Sequence, residues 1–89
     1  MKLLDMTIDR DFDLAYLYIG DGEIAETISI NSLINVDMAM NGDVFGVEFL
    51  GFVNLSQSKE SLKADFPEVT PKVVEAILFA QEKLKSSLI

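Results

Sequence analysis

Asp9, Asp11 and Asp13 stand at alternate positions, like the first ligands of a calcium loop. A loop of the EF-hand type needs oxygens at its first, third and fifth positions, glycine at the sixth and a bidentate glutamate at the twelfth. Leu14 stands where the glycine is required and Gly20 where the glutamate is required. The next residues read as a strand, not as an exiting helix. The aspartates therefore read as a turn, since their side chains bond nearby backbone N–H groups. Three carboxylates in five residues repel one another, so a weak, nonspecific divalent-ion site is the alternative. Asp37 and Glu48 fall on wet positions of later strands. A carboxylate pair does acid–base work when burial splits its two pKa values, but solvated sheet-face acids are far commoner. Tyr16 and Tyr18 share one strand face. They mark a contact surface, where tyrosine is enriched, or they pack against a helix.

Little other chemistry is on offer. The 89 residues contain no cysteine and no histidine. That excludes disulfides, zinc thiolates and thiol nucleophiles, and it removes the commonest general base and transition-metal ligand. "GDGEIAE" (20–26) has glycines but neither the spacing, the lysine nor the helix of a phosphate loop. No cofactor is implied. Charge is uneven: residues 1–55 hold ten acids and two bases, while residues 56–89 hold five of each. The net charge of −8 therefore lies on the first part. Such a field repels phosphate backbones, which argues against nucleic acid, and it attracts a basic partner. No apolar run approaches the ~18 residues of a membrane span. The start, "MKLLDMTIDR", lacks a small-residue cleavage site, so a cytoplasmic protein is expected.

These residues need elements to position them. In "KLLDMTI" (2–8), Leu4, Met6 and Ile8 alternate with polar residues, the period of a strand. "LAYLYI" (14–19) is aromatic and apolar between turn residues. It sends Ala15, Leu17 and Ile19 one way and Leu14, Tyr16 and Tyr18 the other. "GDG" (20–22) reads as a hairpin turn. "EIAETISI" (23–30) turns Ile24, Ile28 and Ile30 inward, with Glu26 the exception on that face. "LINVDM" (33–38) does the same with Ile34, Val36 and Met38, and Asn31 and Asn35 read as turn or edge chemistry. Asn41-Gly42 is a second hairpin signal. "VFGVEFLGF" (44–52) places Phe45, Val47 and Phe49 on one face and Gly46 and Glu48 on the other.

The period then changes. Residues 54–69 read as a connector with a short helix after Ser58, a fair N-cap. "TPKVVEAILFAQEKLKSSL" (70–88) is a helix with Thr70 as cap and Pro71 in the first turn, where a missing N–H costs nothing. Its apolar row runs through Val74, Ile77, Leu78, Gln81, Leu84 and Leu88. The fold class is α+β: an antiparallel meander sheet of about five short strands (1–53), then one long C-terminal amphipathic helix (70–88), in a single domain over residues 1–89.

The stretch "DFDLAYLYIGDGEIAETISI…LINVDMAMNGDVFGVEFLG" resembles the small prokaryotic family known as domain of unknown function 2283. Asp13, Tyr16, Ile19, Glu26, Thr27, Asp37, Gly42, Gly46, Val47, Glu48, Phe49 and Leu50 fall on its pattern. The resemblance covers about residues 9–51, and the closing Gly-x-x-x-Gly-Val-Glu part is its most specific piece. The sequence departs from the family pattern in "AYLYI", which is longer than the usual "ALYI", and at Met40, where a turn acid is usual. The long C-terminal helix looks like an addition. The resemblance implies a fold and no assigned activity. Some members are said to neighbour small RNase-like toxins, which implies an antitoxin role for an acidic protein meeting a basic toxin. Antitoxins often carry a DNA-binding segment, and this chain shows none.

The expected function is therefore a small non-catalytic protein-interaction module that is antitoxin-like. It would bind a protein partner or a second copy of itself as a homodimer, with no nucleic acid and no membrane. The alternative is a carboxylate-based divalent-ion or small-molecule binder, or an enzyme. The interaction reading draws on the edge strands, the Tyr16 and Tyr18 face or the C-terminal helix, and the ion-binder or enzyme reading on Asp9, Asp11, Asp13, Asp37 or Glu48.

Overall fold

A computed structural model describes residues 1–53 and 55–89. Asn54, the first residue of the expected connector, lies outside the described residues. Five strands come first: β1 (Asp5–Asp9), β2 (Leu14–Tyr18), β3 (Ile24–Asn31), β4 (Ile34–Ala39) and β5 (Val44–Phe49). Two helices complete the chain, α1 (Lys59–Asp65) and α2 (Pro71–Leu88). The architecture is α+β, with an antiparallel five-stranded sheet and a long C-terminal helix, as the alternating and helical periods require.

The strands lie in the order β1-β2-β5-β4-β3. β1–β2 is one hairpin and β3–β4–β5 is a meander. The two pieces join through β5, which pairs with both β2 and β4. The "GDG" stretch is therefore not a hairpin turn, because β2 and β3 do not pair. Its glycines do two different things. Gly22 takes a positive φ of 91°, which glycine adopts at little cost. Gly20 sits against β5: a Cβ there would come within 2.5 Å of the Val44 carbonyl oxygen. The N–H groups of Ile19 and Gly20 both donate to the Phe45 carbonyl, at 2.9 Å. The chain thus passes close over the start of β5 and leaves room for it beside β2. Asn41-Gly42 does form a hairpin turn, with Gly42 at φ 89° and the Asn41 side chain accepting from the Asp43 N–H.

The core lies between one sheet face and the helices. Leu17, Ile34, Val36, Val47 and Phe49 from the sheet meet Ile77, Ala80 and Leu84 from α2 and Leu62 from α1. Burying each large aliphatic side chain contributes about 1.5–3 kcal/mol. Thr70 caps α2 through the Val73 N–H, and Ser58 and Ser61 form a reciprocal capping box on α1. Gln81 is the one polar side chain buried on the inner row among the described residues. Its Oε1 accepts from the Gln57 N–H at 2.8 Å, and its Nε2 donates to the Gln57 carbonyl at 3.1 Å. A glutamine inside an apolar row thus fastens the connector to the helix.

Two faces differ from the simple alternation. A bulge at Phe45 lets Met38 pair with Val44 and Asp37 with Gly46. The extra residue turns Val44 into the core and brings the Phe45 ring beside Tyr18, 6.1 Å between centroids, away from Val47 and Phe49. A register shift between Ile24 and Glu26 likewise leaves Ile24 exposed. A bulge inserts one residue and so reverses the facing of the strand beyond it, which a period of two does not reveal. Among the described residues no helix is long and apolar enough to cross a membrane.

Candidate functional site

Among the described residues no helix covers the second face of the sheet. Strand pairing lays its side chains out in two rows across all five strands. One row runs Thr7, Tyr16, Glu48, Asn35 and Ser29, and the next runs Asp5, Tyr18, Gly46, Asp37 and Thr27. The rows are tied together by Tyr16. Its hydroxyl donates to Asp37 Oδ2 at 2.5 Å, although Asp37 belongs to the neighbouring row. The Thr27 hydroxyl donates to the other oxygen, Asp37 Oδ1. To reach Asp37, the Tyr16 ring lies over Gly46: a Cβ at position 46 would come within 2.5 Å of Tyr16 Cε1, Oη and Cζ. Gly46 thus acts through absence of bulk, in a strand where glycine otherwise weakens packing. Tyr16 and Tyr18 stand 4.7 Å apart between centroids and tilted, and Phe45 meets Tyr18 edge-on. Asn35 Nδ2 donates to Glu48 Oε1 at 3.0 Å.

The electrostatics of this face are one-sided. Burial, the hydrogen bond to Asp37 and the nearby carboxylates push the Tyr16 phenol far above its ordinary value. Tyr16 therefore keeps its proton across neutral pH. It donates a hydrogen bond and does not act as a base or nucleophile there. Asp5, Asp9, Asp37 and Glu48 bring four carboxylates to the face, and none forms an ion pair among the described residues. Arg10, the base nearest in sequence, points elsewhere: its Nη2 donates to the Ser87 carbonyl near the end of α2, at 3.2 Å.

The opening aspartates do not converge. Asp9 Oδ1 accepts from the N–H groups of Asp11 and Phe12, at 3.0 and 3.3 Å. Asp13 adopts a left-handed φ of 52°, which aspartate tolerates better than most residues. The stretch is a turn between β1 and β2. Among the described residues no group of three acids is placed to hold a metal ion. The structure instead brings together Tyr16, Tyr18, Asp37 and Glu48, and it sets the tyrosines on the open face, opposite α2. Asp9 borders the same face at the end of β1. Sequence reasoning did not single out Thr27 or Gly46 for this site, or Phe45 on this face. Thr27 and Gly46 do fall on the family pattern, which was the available signal.

Among the described residues, two of the surface hollows lie near charged side chains. One of about 210 Å³ on the open face is lined by Thr7, Asp9, Leu14, Tyr16 and Glu48, with Ile8 and Ala15 beneath. A larger one, about 350 Å³, lies toward the other end of β2 near Lys2, Asp43, Lys72 and Glu75. There both charges are present, and Lys72 pairs with Asp43 at 3.0 Å. The size of that hollow does not make it the better site, because it carries both signs of charge and two of its four charged side chains already pair with each other.

The model of a family described as Protein of unknown function (DUF2283) matches residues 5–52. The match takes in all five strands and neither helix, somewhat wider than the expected residues 9–51. The chain matches no curated protein and no solved structure.

Proposed function

The chain belongs to that family, Protein of unknown function (DUF2283), and from this premise we propose that it is a cytoplasmic, non-catalytic interaction module whose open sheet face docks a basic protein. The observation that carries the reading is an uncovered face with ordered aromatics and four carboxylates, none of them in an ion pair among the described residues. Tyrosine and phenylalanine supply apolar contact area, and the acids steer a cationic surface into register. A second copy is disfavoured on this face, because its own carboxylates would meet these. An antitoxin meeting a basic toxin is one instance of this reading, supported by the sign of the charge.

The test is positional. A photo-cross-linking amino acid is placed at position 18 on the open face, and separately at position 83 on the exposed side of α2. The expected result is a discrete adduct from position 18 to a basic protein, lost when D37N and E48Q are combined and absent from position 83. Adducts from position 83 alone, or none from position 18, would overturn the reading.

A further inference from the structure

We propose that the hollow between Thr7, Asp9, Leu14, Tyr16 and Glu48 receives one arginine side chain of the basic partner. The inference rests on the docking reading above and names its anchor. A volume of about 210 Å³ is several times the ~30 Å³ share of a water molecule and below the ~300 Å³ at which small-molecule sites begin. Open to solvent on one side, it suits a single side chain laid into it.

The lining selects a cation with a flat face. Two carboxylates, Asp9 and Glu48, border the hollow, and among the described residues no basic one does. Glu48 Oε1 takes the Asn35 amide, and its Oε2 accepts no hydrogen bond among the described residues. The Tyr16 hydroxyl already donates its hydrogen bond to Asp37, so toward the hollow it offers a ring wall. Leu14 adds an apolar side for the methylene stem. A guanidinium stacks on an aromatic ring and bonds a carboxylate with paired N–H groups, whereas an ammonium does neither as well. The neighbouring turn carries an exposed ring. Phe12, 74% exposed, stands on the turn whose two ends, Asp9 and Leu14, line the hollow. Its backbone N–H is held by Asp9, so the ring is presented from an ordered turn.

The test is an amide-resolved NMR titration of the full chain with hexa-arginine and hexa-lysine peptides at low salt. The expected result is that hexa-arginine shifts the amides of Thr7, Asp9, Leu14, Tyr16 and Glu48 most. It should also bind roughly fivefold tighter than hexa-lysine, the upper range for a partly exposed charge pair. E48Q and D9N keep the oxygen acceptors for Asn35 and the turn while removing charge. Each should bring hexa-arginine down toward hexa-lysine affinity, with an otherwise unchanged spectrum. Equal affinities with shifts spread over the whole sheet face would overturn the arginine pocket and leave the docking reading standing. Shifts confined to other surfaces would overturn the pocket as well, and the cross-linking result would decide the docking reading separately.

Discussion

Gly46→Ala gives the sharpest test of how the open face is built. An added Cβ would lie within 2.5 Å of three atoms of the Tyr16 ring and hydroxyl, where carbon atoms ordinarily keep ~3.5–4.0 Å. The ring must therefore withdraw by about 1 Å. Its 2.5 Å bond to Asp37 then stretches to the outer limit of a hydrogen bond. A bond to a charged acceptor contributes about 1.5–3 kcal/mol when buried, and about half of that is expected at this half-open site. Displacing a packed ring adds about 1 kcal/mol. Against these, replacing a strand glycine by alanine returns about 0.5–1 kcal/mol. The net expectation is a loss of about 1–2 kcal/mol, or a melting midpoint lowered by about 5–10 °C in a chain this size. Urea unfolding of a double-mutant cycle measures it. With Tyr16→Ala in place the obstruction is gone, and Gly46→Ala should become neutral or stabilising by about 0.5 kcal/mol. An equal cost in both backgrounds would refute the account of Gly46 as space for Tyr16.

Other consequences can be checked directly. Tyr16 holds its proton more tightly folded than unfolded, so its stabilisation is complete below pH ~10 and is lost as pH rises further. Alkaline unfolding tracked by phenolate absorbance should show Tyr16 ionising only as the fold is lost, and Y16F should remove that component. Q81L leaves the Gln57 N–H and carbonyl without partners, so denaturant unfolding should register a loss of about 1–3 kcal/mol despite the gain in apolar character. Calorimetric titration with Ca²⁺, Mg²⁺ or Mn²⁺ at millimolar levels should give no saturable heat, because Asp9 already serves two backbone N–H groups. A stoichiometric transition would refute the reading of residues 9–13 as a turn.

The strands and helices were legible because their periods are plain. Leu17 and Tyr16 fell on opposite faces from alternation alone, and Thr70-Pro71 announced the long helix. What alternation cannot carry is the spatial order. The "GDG" stretch has hairpin composition, yet it serves as a passage, because Gly20 makes room for the Val44 carbonyl and β5 competes successfully for β2. Phe45 was misplaced for a related reason, since a bulge leaves no mark in a pattern of two. Of the site, Asp37 and Glu48 were visible as wet-face acids, and Tyr16 and Tyr18 as sharing one strand face, but not that the four stand together. The diagonal reach of Tyr16 to Asp37 was not, because it depends on a vacant position on a strand distant in sequence.

The place of β5 in the sheet also bears on how the chain is made. β5 lies between β2 and β4, yet it is the last strand to be synthesised. A ribosome adding ~5–20 residues per second leaves the β1–β2 hairpin waiting about 1.5–6 s for the segment that completes it. During that interval β2 presents a bare edge carrying Ala15 and Leu17 to other nascent chains. Asp5, Asp9, Asp11 and Asp13 cluster on this hairpin and its turn, where like charges discourage strand addition by a neighbour. The aspartates that first resembled a metal loop thus give this hairpin its negative charge while its other edge waits for β5.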